Sequence, residues 1–327
     1  MKAMLTVNEE LVWSEVEKPA PKAQEVLIKI YAAGVNRADL LQRLGKYPSP
    51  KGCPEWMGLE VSGIVEEIGN DVKNYKAGDR VCALLGGGGY AEYVCVTEEM
   101  VMPMPKNLSF EDAASLPEAY ATSYLNLFIE GHLTEGKTAY IPAGASGLAS
   151  AAIPLAKAFG ARVITSVRED SIKAKIASLN ADVILNSETD DLPAFFENEE
   201  KNNRAPFVVM DCLSGKSLGE CMPFMERGGY WVVISTLAGI ETNVLLRPLL
   251  TKGLHLVGSM LRNRTVSQKG EILKLLVENV WPKIENGSLK PCVYKILPIE
   301  KAREAHRILE QNENVGKVVL RVADEEK

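Results

Sequence analysis

The chain has 327 residues, 46% of them hydrophobic and 24% charged, with a formal net charge of −6. That length favours two domains over one, and the mixture is that of a soluble globular protein with a large core. The acidic balance gives no electrostatic basis for binding nucleic acid or an anionic membrane. No apolar run reaches the length of a membrane span, and "KAMLTVNEELVW" after Met1 has no apolar signal core, so a cytoplasmic location is expected. The six cysteines are scattered without a C-x-x-C pair, the pattern of free, small core residues.

The first third reads as β-rich. "EVLIKIYAAGV", "GLEVSGIVEEIG" and "YAEYVCV" alternate apolar and polar residues, and the turns between them carry Gly69 to Asp71 and Ala77 to Asp79. Short strands with glycine turns suggest a small barrel or sandwich. The texture changes near Glu111, where "SFEDAASLPEAYATSYLNLFIEGH" reads as helical with Ser109 as N-cap. Pro117 should divide it into two helices. From Lys137 strands and helices alternate. Strands are expected at "TAYIPA", "RVITSV", "DVILN", "FVVMDCL", "GYWVVIS" and "LHLVGSML". Helices are expected near Leu148 to Phe159, Ser171 to Leu179 and Gly219 to Met225. Hydrophobic, β-branched strands in that alternation indicate a parallel doubly wound sheet. An amphipathic helix follows Arg264, and "CVYKILPI", "EKAREAHRILEQN" and "GKVVLRV" close the chain as short strands around a helix.

"YIPAGASGLASAAIPLAKAFGARVITSV", starting at Tyr140, is a βαβ unit with a small-residue turn. In such a unit the helix N-terminus offers free backbone N–H groups and partial positive charge to a phosphate. Gly144 and Gly147 would let a diphosphate approach the backbone, Ser146 and Leu148 would contact it, and Ala149 would pack helix against strand. The Gly144-x-x-Gly147-x-Ala149 spacing is not the usual dinucleotide fingerprint, and Pro154 should kink the helix. A triphosphate loop is excluded because no Gly-Lys-Ser/Thr follows, and a serine-nucleophile elbow because Leu148 replaces its last glycine. After the second strand, Glu169 and Asp170 would suit the ribose hydroxyl of NAD, while Arg168 and Lys173 would hold the 2′-phosphate of NADP. The two bases weight the reading toward NADP(H), with NAD(H) the alternative.

Seven blocks carry a resemblance over nearly the whole chain. They are "GVNRADLLQRLGKYPSP", "GLEVSGIVEEIG", "AGDRVCALLGGGGYAEYVCV", "ASLPEAYATSYLNLF", "AGASGLASAA", "GSMLRNRT" and "NVGKVVL". Their order and spacing resemble the zinc-free quinone oxidoreductase branch of the medium-chain dehydrogenase/reductase superfamily. The resemblance implies an α/β fold in which a Rossmann doubly wound parallel sheet domain is inserted in a GroES-like β-rich domain. The expected bounds are 1–120 for the GroES-like catalytic domain, 121–265 for the Rossmann domain and 266–327 for the return, with the cofactor in the cleft between domains. Zinc relatives use a Cys and the His of a Gly-His-Glu motif. Here Asn36 and Leu59 stand in those places and the four-cysteine lobe is missing, so no zinc is expected.

The resemblance also implies the site residues. Asn36 would face the nicotinamide, and Thr122 would lie close to it. Tyr47 would sit at the substrate mouth, walling the pocket, stacking on a quinone or relaying a proton; a surface aromatic packed on Pro48 is the alternative. Ser235 and Thr236, at the carboxyl end of a parallel strand, would take the ligand. Met260, Leu261 and Arg262 would line the nicotinamide pocket with their backbone, and Asn314 would reach back to the cofactor. Glu60 is expected to be structural and ion-paired, with Asp39 and Arg37 shaping the loop. The implied activity is NADPH-dependent, zinc- and flavin-independent hydride transfer to a quinone or enone. The alternatives are an enoyl-thioester reductase of the same fold, and a weakly catalytic nucleotide-binding sensor or structural protein. A homodimer is expected through "GLHLVGSML" as the edge strand of the Rossmann sheet.

Overall fold

The computed structural model describes residues 1–325. The chain divides into a unit formed by Met1–Ala121 together with the segment from Arg264 onward, and a second unit, Thr122–Asn263, inserted in it.

The first unit is built on a seven-stranded sheet. Its order is Val293–Pro298, Lys317–Arg321, Glu25–Val35, Glu60–Ile68, Arg80–Leu84 and Val101–Pro103, with Tyr93–Thr97 also paired to Glu25–Val35. The long strand Glu25–Val35 organises it. Its first half pairs with Tyr93–Thr97 and its second half with Lys317–Arg321, both antiparallel. Alternation sends Val26, Ile28 and Ile30 into a core shared with Val61, Val65, Val81, Ile308, Val318 and Leu320. The register Val318↔Val35 brings Lys317 alongside Asn36. A hairpin of Lys2–Val7 with Glu10–Glu15 also belongs to this unit. Its two-residue turn places Asn8 and Glu9 at φ 50° and 67°, the left-handed pair that a tight antiparallel turn needs. This hairpin is not among the strands expected from the sequence. Pro117 does begin a new helix: Phe110–Ala113 is followed by Pro117–Tyr124. Ser109 caps the first of these by accepting the Asp112 amide.

The second unit is a six-stranded, all-parallel sheet. Its order is Val183–Asn186, Arg162–Val167, Thr138–Ile141, Pro206–Asp211, Tyr230–Val233 and His255–Gly258. The first strand in sequence thus lies at the centre, and the strand order reverses beside it. That is the Rossmann doubly wound arrangement, which opens a binding crevice at the carboxyl ends of the strands. Tyr140, Ile164, Phe196, Val209 and Trp231 pack in its core. Two helices of this unit, like Arg37–Arg43 in the first, were not expected from the sequence. Leu192–Lys201 packs Leu192, Phe195 and Phe196 against the core at helical spacing, and Asp191, which caps it, and Pro193 in its first turn were further legible signals. Leu246–Lys252 buries none of its residues fully, and a seven-residue run with Pro248 inside it is too short for a helical period to stand out.

Candidate active site

The strand Thr138–Ile141 leads into the small-residue turn. Ala143 takes φ 56°, a left-handed conformation that reverses the chain. The Gly144 amide donates to the Ser166 carbonyl at 2.8 Å, and a Cβ on Gly144 would stand 2.5 Å from Oγ1 of Thr165. Glycine is therefore required here by the neighbouring strand, a reason additional to ligand approach. Ser146 donates its amide to Ala143 O at 2.9 Å, and its Oγ accepts the Ala149 amide at 3.1 Å, capping the helix Ala149–Ala158. Gly147 and Leu148 form the partly exposed end of the turn. Pro154 is accommodated inside the helix.

The other residues singled out in this unit, Thr122 apart, follow the carboxyl ends of parallel strands and so come to the same edge of the sheet. Arg168 is exposed, with Nε 4.0 Å from Oε1 of Glu188. Lys173 lies 2.9 Å from Asp170 and 3.9 Å from Asp190. Its hydrogen bond holds the Asp170 carboxyl below the usual carboxylate range. Ser235 and Thr236 follow Tyr230–Val233, and the Ser235 carbonyl accepts from Ser214 Oγ at 2.9 Å. Met260 is exposed, Leu261 buried and Arg262 half-buried in the turn after His255–Gly258. Thr122 is half-buried near the end of Pro117–Tyr124, and its carbonyl accepts from Asn126 Nδ2 at 2.7 Å. The chain continues there as a π-helical turn, Leu125–Ile129, a distortion often found at functional sites. The sequence reading missed Asp211, at the end of its strand. This buried carboxylate accepts the Leu213 and Ser214 amides at 2.8 Å and Trp231 Nε1 at 2.7 Å, which fixes the turn beside the switch point.

In the first unit Asn36 lies at the hinge of a buried polar cluster. It ends the strand Glu25–Val35 and caps the helix Arg37–Arg43, its own amide donating to Asp39 Oδ2 at 2.7 Å. Its side-chain Nδ2 donates to Glu60 Oε1 at 2.9 Å, and its Oδ1 accepts from Lys317 Nζ at 2.7 Å. Glu60 is fully buried and pairs with Lys317 at 2.5 Å. Its other oxygen accepts the Glu118 amide at 2.9 Å, at the positive end of the helix Pro117–Tyr124. The Glu118 carboxyl is pushed up to about 7, by burial first and by the charge of Glu60 next.

Asp39 is fully buried and accepts from the Gly58 amide at 3.2 Å and from the Tyr90 hydroxyl at 3.1 Å. Burial outweighs these donors and raises it to about 6. Behind Tyr90, His306 Nε2 lies 3.4 Å from the hydroxyl and Nδ1 lies 3.5 Å from Arg43 Nη1. Arginine only donates, so Nδ1 is the acceptor and Nε2–H points at Tyr90. Arg43 in turn pairs with Glu310 at 2.5 Å. Tyr47 is half-buried in the loop after Arg37–Arg43. Asn314 is buried and donates to the Gly316 carbonyl at 2.8 Å. Leu59 is buried, and among the described residues no group of three or more His, Cys, Asp or Glu side chains is placed to hold a metal ion.

Sequence comparison adds a family to this geometry. Residues 22–106 match the alcohol dehydrogenase GroES-like domain, and residues 179–320 match the family described as zinc-binding dehydrogenase. A GroES-like β-rich unit carrying an inserted Rossmann unit defines the medium-chain dehydrogenase/reductase superfamily, whose members use a nicotinamide cofactor. The mouse quinone oxidoreductase is 28% identical over 310 residues, covering 94% of this chain and 92% of that protein. The structure of a mycobacterial quinone oxidoreductase superposes with a TM-score of 0.85 at 25% identity, covering 98% of this chain and all of that one. That of an NAD-dependent alcohol dehydrogenase superposes with a TM-score of 0.82 at 28% identity, covering 99% of this chain and all of the other. The chain is an oxidoreductase of that superfamily, similar over nearly its whole length to the superfamily's quinone oxidoreductases. No helix among the described residues is long and apolar enough to cross a membrane.

Proposed function

We propose that the protein reduces quinones or related activated carbonyls and enones with NADPH, in the cytoplasm, without zinc and without flavin. The observation that carries this reading is the state of Asn36. It stands where zinc relatives carry a cysteine ligand, and both ends of its amide are engaged by Glu60 and Lys317. An uncharged amide cannot replace a thiolate as a zinc ligand, so the site suits an acceptor that is electrophilic without help from a cation.

The residues present fit a dinucleotide. The amides of Gly147 and Leu148 stand at the start of a ten-residue helix whose Ala149 amide is already taken by Ser146, and they suit a diphosphate. Gly144 packs that turn against the second strand. Arg168 and Lys173 follow that strand and suit a 2′-phosphate, while Asp170 makes NADH the alternative. Ser235, Thr236, Met260, Leu261, Arg262 and Asn314 are the further cofactor contacts in this reading. When bound, the nicotinamide supplies a hydride. The chain's own work is then orientation and exclusion of water. Asn36 holds the reacting partners through its amide, Thr122 supports them, and Tyr47 covers the acceptor and can pass it a proton.

The test is NADPH oxidation with 1,2-naphthoquinone and with a crotonyl thioester, each with and without a chelator. The expected result is quinone reduction that the chelator leaves unchanged. Preference for the thioester would make the protein an enoyl-thioester reductase. Nucleotide binding without turnover of either would make it a sensor or structural protein.

A further inference from the structure

We propose that Lys317 is a positioning residue of this site: its ammonium fixes which way the Asn36 amide faces. The inference rests on the reading of Asn36 as the side chain beside the reacting ring. Asparagine has an acceptor end and a donor end of nearly the same shape, and a flip exchanges them. An amide flanked by two neutral hydroxyls would be free to adopt either. Here one neighbour can only donate and the other, ionised, can only accept. Lys317 Nζ meets Oδ1 at 2.7 Å, and Glu60 Oε1 meets Nδ2 at 2.9 Å. The reversed amide would set a donor against an ammonium and an acceptor against a carboxylate. One Nδ2 hydrogen remains for a partner outside the cluster, and its direction is set by this arrangement.

Lys317 is itself held. Its Nζ also donates to the Val35 carbonyl at 3.0 Å, and its side chain is 5% exposed, so it has no solvated alternative position. The antiparallel register of Lys317–Arg321 with Glu25–Val35 places it there. Glu60 is anchored from a third direction by the Glu118 amide. Three segments distant in sequence thus converge on one side-chain amide.

A merely structural ion pair is the competing account, and the two part company when both charges are removed. Lys317→Met alone would leave a buried carboxylate without its cation and can fail to fold. The informative variant is Lys317→Met combined with Glu60→Gln. It keeps the volume, removes both charges of the pair together and presents Asn36 with a neighbour that can donate or accept. Positioning predicts that this double variant folds but loses roughly 10- to 100-fold in kcat for quinone reduction, the scale on which misoriented groups act. Its KM for NADPH should move by less than about threefold, because the diphosphate turn is untouched. Lys317→Arg, which keeps a donor, should restore most of kcat. Turnover of the double variant within about twofold of wild type would overturn the proposal.

A second readout needs no substrate. The Asn36 side-chain NH₂ resonances, identified by their loss in Asn36→Ala, should form one sharp pair in wild type and in Lys317→Arg. In the double variant they should broaden or double. An unchanged sharp pair there would overturn the proposal even if the wild-type protein reduces no quinone, so failure of the functional reading and failure of this one are separately visible.

Discussion

Gly34 yields its side-chain space to the carboxylate of Glu60. A Cβ at this position would lie 2.6 Å from the Ala114 carbonyl oxygen and closer still to Glu60 Oε1. The need is for room, because the strand residue on either side is buried and Glu60 Oε1 cannot retreat without leaving Asn36 and Lys317. Gly34→Ala is expected to lower stability by about 1–3 kcal/mol, the usual cost of overpacking a tight core. It should also displace Glu60 from Asn36. Urea unfolding measures the first effect. A variant as stable as wild type would mean that the cluster is looser than its hydrogen bonds imply.

That cluster shows what could and could not be read from the sequence. Asn36 stood out because its block resembles a known motif, and Glu60 was expected to be ion-paired. Its partner was not legible: Lys317 reaches Asn36 across 281 positions of sequence, and only sheet register joins them. Periodicity reports which face of a strand is buried, not which distant strand lies beside it. The Rossmann strands were legible because a fully buried parallel strand is a continuous apolar run between turn residues. The tight hairpin at Asn8 and Glu9 was not, since that pair lacks the glycine that usually marks such a turn. Asp211 escaped notice for a similar reason. A carboxylate at a strand end reads as solvated, and only the indole nitrogen of Trp231 and two amides show it to be structural.

Arg168 tests the cofactor preference. It has one carboxylate neighbour, Glu188, at the 4.0 Å limit of an ion pair, so a 2′-phosphate would meet little competition there. Arg168→Ala is expected to weaken NADPH by about tenfold or more, the loss of a charge-assisted phosphate contact, while NADH changes little. Titration of tryptophan fluorescence with both nucleotides measures this. Equal weakening of the two would remove Arg168 from the phosphate site.

His306 should make stability depend on pH in a defined direction. Burial, aided by the Arg43 charge, lowers it from 6.5 to about 3. The unfolded chain therefore binds a proton that the folded chain refuses between those values. Stability from the neutral imidazole is present above pH 6.5 and is lost as pH falls toward 3. Tyr90, Arg43, Arg303 and Glu310 are the titratable and charged groups around the ring. Asp39 and Glu118 act in the opposite sense. Raised to about 6 and about 7, they contribute stability at low pH that is lost as pH rises through those values. His306→Gln removes only the first contribution. The wild-type advantage over the variant should shrink on acidification from pH 6 to 4, with a slope of at most about 1.4 kcal/mol per pH unit. A difference that stays flat in unfolding experiments across that range would show that His306 takes up its proton in the folded state.

The edge of the Rossmann sheet makes the last prediction. His255–Gly258 is the outermost strand, with one side of its backbone unpaired by any other strand of the sheet. Leu256 on it is 47% exposed, and Leu246 and Leu250 on the neighbouring helix are 71% and 82% exposed. An unprotected edge beside exposed leucines is the kind of surface that a second copy covers, since strand pairing satisfies its amides while the leucines leave water. We expect a homodimer through this edge. Light scattering should give twice the chain mass for wild type, and Leu256→Lys combined with Leu250→Lys should give a monomer, because each copy would set cations against the other across the symmetry axis. The Rossmann core, which contains neither side chain, should keep its nucleotide affinity in that monomer to within about threefold. A wild-type protein that is monomeric at micromolar concentration, or a double variant that stays dimeric, would place the interface elsewhere or remove it.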